Sequence, residues 1–210
     1  MSASVEKAAL ELRTGGMSIV SDQNGGTLVL GALFATGRVI EFIALEAHGP
    51  VSLALPVETG GVRVEPLSAA GTLPELDRRA NSVRSIAEDL AAGRRLGPGK
   101  ILPADARDGL PTVTVARLDS ALRLAELAGL AGAALVCPIR SQTGAPAGPI
   151  ALASFGRRHD VPAVDAAAVL GYGPRRVRTR AARTQPRVVA RARGYAQRLV
   201  AAPGLLARSG

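Results

Sequence analysis

No apolar run in this chain reaches the roughly 18–20 residues that a membrane-spanning helix requires. Short apolar segments recur instead, some at the helical period and some alternating, and Gly or Pro cuts nearly every one. The best membrane candidate, Ile150-Ala151-Leu152-Ala153, is soon followed by Arg157 and Arg158. Such a pattern suits a packed domain of short strands and helices. The 210 residues are enough for one sizeable core. With 2% aromatics and no Trp, that core must be built from Ala, Val, Leu and Ile.

The periods place the elements. Val5, Ala8, Ala9 and Leu12 follow an i, i+3, i+4, i+7 stripe, so residues 4–14 read as an amphipathic helix ended by Gly15-Gly16. Strands are expected at 17–20, 27–30 and 51–56, with a turn-rich loop from Ser21 to Gly26. Residues 36–47 predict a helix with Val39, Ile40, Ile43 and Ala44 inward, broken at His48-Gly49-Pro50. A strand at 61–65 follows in a Gly- and Pro-rich stretch, then a helix from Ala80 to Ala92 and a loop from Gly97 to Leu110. Thr112 to Ala116 alternates like a short strand, and Ser120 to Gly129 reads as a helix. Ala133 to Pro138 is an apolar, fully buried strand; a polar loop, a helix at 150–158, a strand at 161–164 and a helical turn at 165–170 complete the domain. Strands and helices mix without a strict βαβ rhythm, so the fold class is α+β.

Charge divides the chain. From Pro174 to Gly210 there are ten Arg and no acid, while residues 1–173 hold 16 basic and 17 acidic residues. The body is nearly neutral and the net charge of +9 belongs to the tail. The chain therefore reads as a domain at 1–173 and an Arg-rich extension at 174–210, with a helix expected over 187–201. Tyr195 is the only aromatic after Tyr172, so base stacking has little support and nucleic acid is not expected as a partner. No membrane association is expected. The early charges Glu6, Lys7, Glu11 and Arg13 and the single Cys137 point to a cytoplasmic protein.

Several landmarks then stand in a known order. Val5-Glu6 opens the first helix, Gly16 to Val20 forms the first strand, and Val83-Arg84 precedes Pro98-Gly99-Lys100-Ile101-Leu102-Pro103. Leu127-Ala128-Gly129-Leu130, Leu135-Val136-Cys137, Gly144, Phe155, His159, Val161-Pro162 and Val169 follow. In this set the chain resembles the 3,4-dihydroxy-2-butanone 4-phosphate synthase family over roughly residues 5–172. The resemblance implies a single three-layer α/β/α domain. It also implies a homodimer with its pocket at or near the subunit interface, and a magnesium-dependent reaction. That reaction turns ribulose 5-phosphate into formate and a four-carbon phosphate, for riboflavin synthesis.

The chain departs from the family where that chemistry is done. The family's dense acidic loop is here Ser21-Asp22-Gln23-Asn24-Gly25-Gly26-Thr27, with Thr27 in the slot of its last Asp. The metal-binding His slot is Arg117, a fixed cation that cannot ligate a metal, and the two preceding glycines are Val115 and Ala116. Pro138 fills the slot of the catalytic Glu after Cys137, and Lys100 replaces the His of Pro-Gly-His. The family's Thr-Gly-x-Ser-Ala-x-Asp-Arg loop maps onto Thr72 to Arg79, of which Thr72 and Arg79 keep the expected types.

These departures set the expectations. The parent reaction is disfavoured and no metal or other cofactor is expected. Arg117, Asp119, Lys100 and Asp22 are the candidate catalytic groups. Thr27, Thr72, Arg79, Thr114, Leu33 and Phe34 are the candidate substrate contacts, Leu33 and Phe34 being placed beside the old acidic loop. The function expected is a metal-independent lyase, isomerase or cyclase acting on a small organic substrate in specialised biosynthesis. The alternatives are a non-catalytic binding or partner subunit, an active but unusual synthase, and a basic nucleic-acid-binding protein.

Blander roles stand beside these. Arg117 with Asp119 could be an ion pair, Lys100 an exposed loop residue, and Asp105 and Asp108 solvated. His48 suits a helix end, His159 a structural position, and Cys137 a small core residue.

Overall fold

The computed structural model describes residues 2–57, 62–94 and 113–173. Lys100 and the Pro98–Pro103 segment, Asp105, Asp108 and the extension at 174–210 lie outside the described residues.

One six-stranded mixed sheet carries the domain, in the order β4-β3-β5-β2-β1-β6. Its strands are β1 (Met17–Asp22), β2 (Gly25–Gly31), β3 (Ser52–Pro56), β4 (Val62–Pro66), β5 (Ala134–Pro138) and β6 (Ala163–Asp165). All neighbours are antiparallel except β1 and β6, which are parallel. Period-two alternation sends Ile19, Leu28, Leu53 and Leu135 to one face of the sheet. Val20, Val29, Ala54 and Val136 go to the other. Helices α2 (Gly37–Ala47), α3 (Leu73–Ala91) and α5 (Pro149–His159) cover the first face. Helices α1 (Ser2–Arg13), α4 (Val115–Leu127) and α6 (Ala166–Leu170) cover the second. The result is the expected α+β domain in three layers. Each fully buried Leu or Ile in these two interfaces contributes roughly 2 kcal/mol. No described helix is long and apolar enough to cross a membrane.

The two largest boundary differences from the sequence reading are both helix starts, and both have a capping explanation. Helix α3 starts at Leu73 rather than Ala80. Glu75 Oε2 accepts the Thr72 backbone N–H at 2.7 Å and its hydroxyl at 3.1 Å, a capping box with Pro74 in the first turn. The alternation at 112–116 is not a strand in its described part. Thr114 caps α4 by accepting the Arg117 backbone N–H at 3.3 Å, so Val115 and Ala116 are helical.

The expected loop from Ser21 to Gly26 is a tight hairpin. The strands run to Asp22 and resume at Gly25, which pair with each other. Asp22 Oδ1 accepts the Asn24 N–H at 2.8 Å and closes the turn, and Gly25 supplies a φ of 129° that a side chain would resist. His48 ends α2 in the left-handed conformation at φ 55°, a helix-terminal role.

Cys137 sits on β5, buried, with its thiol donating to the Gly49 carbonyl at 3.2 Å. Burial pushes the thiol pKa up to about 12. A thiol reagent at neutral pH should leave Cys137 unmodified in the native protein and label it only at denaturant concentrations that unfold the domain. Rapid labelling in buffer alone would contradict this packing.

Candidate functional site

The β1–β2 hairpin, the start of α4 and the end of β5 meet at one end of the sheet. The hairpin brings Asp22 and Thr27 to the face covered by α4. In the sheet register Thr27 stands opposite Pro138, the last residue of β5. Helix α4 then lays Thr114 and Arg117 over them. The hairpin, Arg117 and the end of β5 at Pro138 are thus drawn together in space.

Asp22, Thr114 and Arg117 form a closed clasp. The Thr114 hydroxyl donates to Asp22 Oδ2 at 2.6 Å. Arg117 Nε lies 3.2 Å from the same carboxylate oxygen and 3.2 Å from Thr114 Oγ1. Arg117 Nη1 donates to Thr27 Oγ1 at 3.3 Å. The Arg117 side chain is only 3% exposed and that of Asp22 18% exposed. Burial alone would raise the Asp22 pKa. The Thr114 hydroxyl, the Asn24 N–H and the Arg117 charge outweigh it and hold the carboxyl below the usual aspartate value. Asp22 is therefore ionised at neutral pH and Arg117 is charged, so the pair is neutral as a unit.

A Cβ on Gly25 would meet Pro146 Cβ at 3.3 Å and Arg117 Nη1 at 3.6 Å, so the loop before α5 and the guanidinium both approach this glycine. Val115, in the first turn of α4, and Ile150, in the first turn of α5, are large apolar side chains left exposed, at 72% and 86%.

The donor set does not suit a magnesium ion. Both oxygens of Asp22 already accept hydrogen bonds, and a guanidinium stands beside them where a second cation would be repelled. Among the described residues no group of three or more His, Cys, Asp or Glu is placed to hold a metal ion. What the clasp offers instead is a carboxylate edge and a hydroxyl, fixed in direction by a buried cation. Such a set can orient a ligand through hydrogen bonds. As a base near neutral pH, Asp22 is weak.

Of the residues expected at the site, Asp22, Thr27, Thr114 and Arg117 come together. The other described ones are placed elsewhere. Asp119 lies two residues from Arg117, about 200° around the helix, and Arg117 pairs with Asp22 rather than with it. Thr72 is spent on the α3 cap, and Arg79 Nη1 hydrogen-bonds the Ala70 carbonyl, both in the helix layer on the opposite face of the sheet. Leu33 and Phe34 belong to a 3-10 turn at Ala32–Phe34, beyond the far end of β2. Four steps of extended strand, roughly 13 Å, and then the 3-10 turn separate Thr27 from Leu33, so neither lies beside the hairpin. Lys100 lies outside the described residues. The reading of residues alone missed the Asp22–Thr114 bond, which joins positions 92 residues apart, and the approach of Pro146 to Gly25.

His159 is structural. Its ring packs edge-on to Phe42 at 5.2 Å and tilted on Phe155 at 4.5 Å, tying α5 to α2. Its Nε2 is 3.1 Å from Glu46 Oε2 but off the line a hydrogen bond requires. Burial lowers its pKa, against the pull of Glu46.

Known proteins resemble this chain in sequence and in fold. The riboflavin biosynthesis protein RibBA of Aquifex aeolicus (strain VF5) is 27% identical over 199 aligned positions, covering 82% of this chain and 49% of that protein. The 3,4-dihydroxy-2-butanone 4-phosphate synthase of Campylobacter jejuni is 27% identical over 194 positions, covering 80% of this chain and 57% of that protein. This chain thus spans about half the length of these curated relatives. Among solved structures, RibBX, a two-domain 3,4-dihydroxy-2-butanone 4-phosphate synthase from A. baumannii, superposes with a TM-score of 0.57 at 25% identity. The match covers 79% of this chain and 56% of that one. The Candida albicans synthase shares the fold at 19% identity, with a TM-score of 0.54 over 80% of this chain and 96% of that one. The sequence profile of 3,4-dihydroxy-2-butanone 4-phosphate synthase matches residues 62–172, more than half of the chain, and the chain belongs to that family.

Proposed function

We propose that this protein uses the family scaffold without the family reaction, as a metal-independent lyase, isomerase or cyclase acting on a small organic substrate. The observation that carries this reading is the buried Arg117 locked to Asp22, Thr114 and Thr27. Loss of formate from a ketose phosphate needs carboxylates to move protons and hard oxygen ligands for a metal. The clasp supplies one carboxylate, already bound, and a permanent cation. A preorganised hydrogen-bonding set suits a step driven by substrate orientation. The exposed Val115 and Ile150, each in the first turn of its helix, fit burial against a second copy of the chain, the homodimer that the resemblance implies.

Incubation with ribulose 5-phosphate and magnesium tests this directly. The Campylobacter jejuni synthase should release formate under the same conditions, and this protein should release none above an enzyme-free control. Sustained formate release by this chain would overturn the reading.

A further inference from the structure

A buried arginine over an open site is ordinarily a receptor for phosphate or carboxylate. Here the order of exposure is reversed. The Arg117 side chain is 3% exposed, and Asp22, which pairs with it at 3.2 Å, is 18% exposed. Thr114 is half-buried and donates its proton to the same Asp22 oxygen at 2.6 Å. A ligand entering from solvent therefore meets carboxylate oxygens before it meets the guanidinium. We propose that Asp22 is a built-in counter-anion that closes Arg117 to anionic ligands and selects an uncharged, hydroxyl-bearing substrate. This rests on the functional reading above and names the substrate class for the same site.

The reasoning is one of competition. On the side that Asp22 holds, a phosphate must displace that carboxylate or stack a second negative charge beside it. Displacement would also break the Thr114 bond and strip Asp22 of its cation in a partly desolvated place. A neutral hydroxyl loses nothing by comparison. It donates to Asp22, whose oxygens can each accept more than one hydrogen bond, and it leaves the ion pair whole. The clasp also holds Asp22 from three sides, through Asn24 N–H, Thr114 Oγ1 and Arg117 Nε, so the carboxylate cannot swing aside cheaply.

The probe is inorganic phosphate, and full-length protein is used throughout. Sodium chloride matched for ionic strength corrects for the Arg-rich extension. In thermal-shift titrations the wild type should respond to phosphate no more than to chloride. Asp22→Asn keeps a hydrogen-bond acceptor but removes the charge. It should bind phosphate at least tenfold more tightly than the wild type, and the double variant D22N/R117Q should lose that gain. A natively folded D22N protein that gains no phosphate response, or a wild type that already binds as D22N does, would overturn the proposal. Calorimetric titration of the wild type and R117Q with phosphate gives a second measurement that does not depend on D22N folding. Equal responses support the proposal, and Arg117-dependent binding by the wild type sinks it. Formate release from ribulose 5-phosphate would defeat the functional reading itself, whereas Arg117-dependent phosphate binding without formate defeats only the choice of substrate class.

Discussion

Replacing Gly49 by alanine should lower the melting temperature by about 10 °C, a loss of about 3 kcal/mol. Gly49 follows the α2 C-cap at His48 and leads into β3. An added Cβ would stand 2.1 Å from the Pro138 carbonyl oxygen, 2.9 Å from Pro138 Cγ and 3.1 Å from its carbonyl carbon. No side-chain rotation relieves this, because the nearest atom is backbone and its neighbour is a rigid ring. Either the end of β5 or the α2–β3 connection must shift. The connection is tied by the Cys137 thiol to the Gly49 carbonyl and by the Arg140 N–H to the Ala47 carbonyl at 2.8 Å. The end of β5 is tied by the Ile139 N–H to Gly26 O at 2.9 Å and by the register of Pro138 with Thr27. Strain at Gly49 therefore reaches the floor of the clasp. Gly173→Ala, where nothing lies within 4 Å, serves as the control and should stay within about 0.5 kcal/mol of the wild type. A G49A protein melting within 2 °C of the wild type would show that the connection yields far more readily than its hydrogen bonds suggest.

Periodicity and punctuation made most of the scaffold legible. The stripes of α1 and α2 are buried as spaced, with Val5, Ala8 and Leu12 on one and Val39, Ile40 and Ile43 on the other. Failures fall where a cap overrules composition. Thr112 to Val115 is β-branched throughout and reads as strand, yet a threonine hydroxyl that accepts Arg117 N–H starts a helix there. At Thr72 the signal was present as Thr-Leu-Pro-Glu but lay inside a Gly- and Pro-rich stretch. The site is less legible for a different reason. Its contacts join residues about 90 apart, and no local period reports such pairs. Family motifs nominated Asp22, Thr27 and Arg117 one by one, but only the fold shows that they bond to each other. The same limit explains Leu33 and Phe34, which are near the hairpin in sequence and carried away from it by a seven-residue strand.

Arg117→Met should destabilise the domain by about 3 kcal/mol at pH 7, with the loss shrinking in acid. The substitution keeps the aliphatic stem that packs beneath the hairpin and removes only the charged head. It leaves Asp22 ionised and partly buried without its cation, and Thr27 without its donor. Breaking one side of a buried pair costs roughly 3–5 kcal/mol, and the 18% exposure of Asp22 places this case at the lower end. The pH dependence follows from the direction of the Asp22 shift. Its folded pKa lies below the ordinary value, so its contribution is complete above about pH 4 and is lost as pH falls through the folded pKa. In R117M the attraction that depressed that pKa is reduced, so the variant has less to lose over the same range. Urea denaturation at pH 7 should therefore separate the two proteins widely, and the gap should narrow below pH 4 as Asp22 takes up its proton. A gap of under 1 kcal/mol at pH 7 would mean that the pair behaves as a solvated surface contact. A gap unchanged in acid would mean that Arg117 stabilises the hairpin by packing and by its other hydrogen bonds, with Asp22 a bystander.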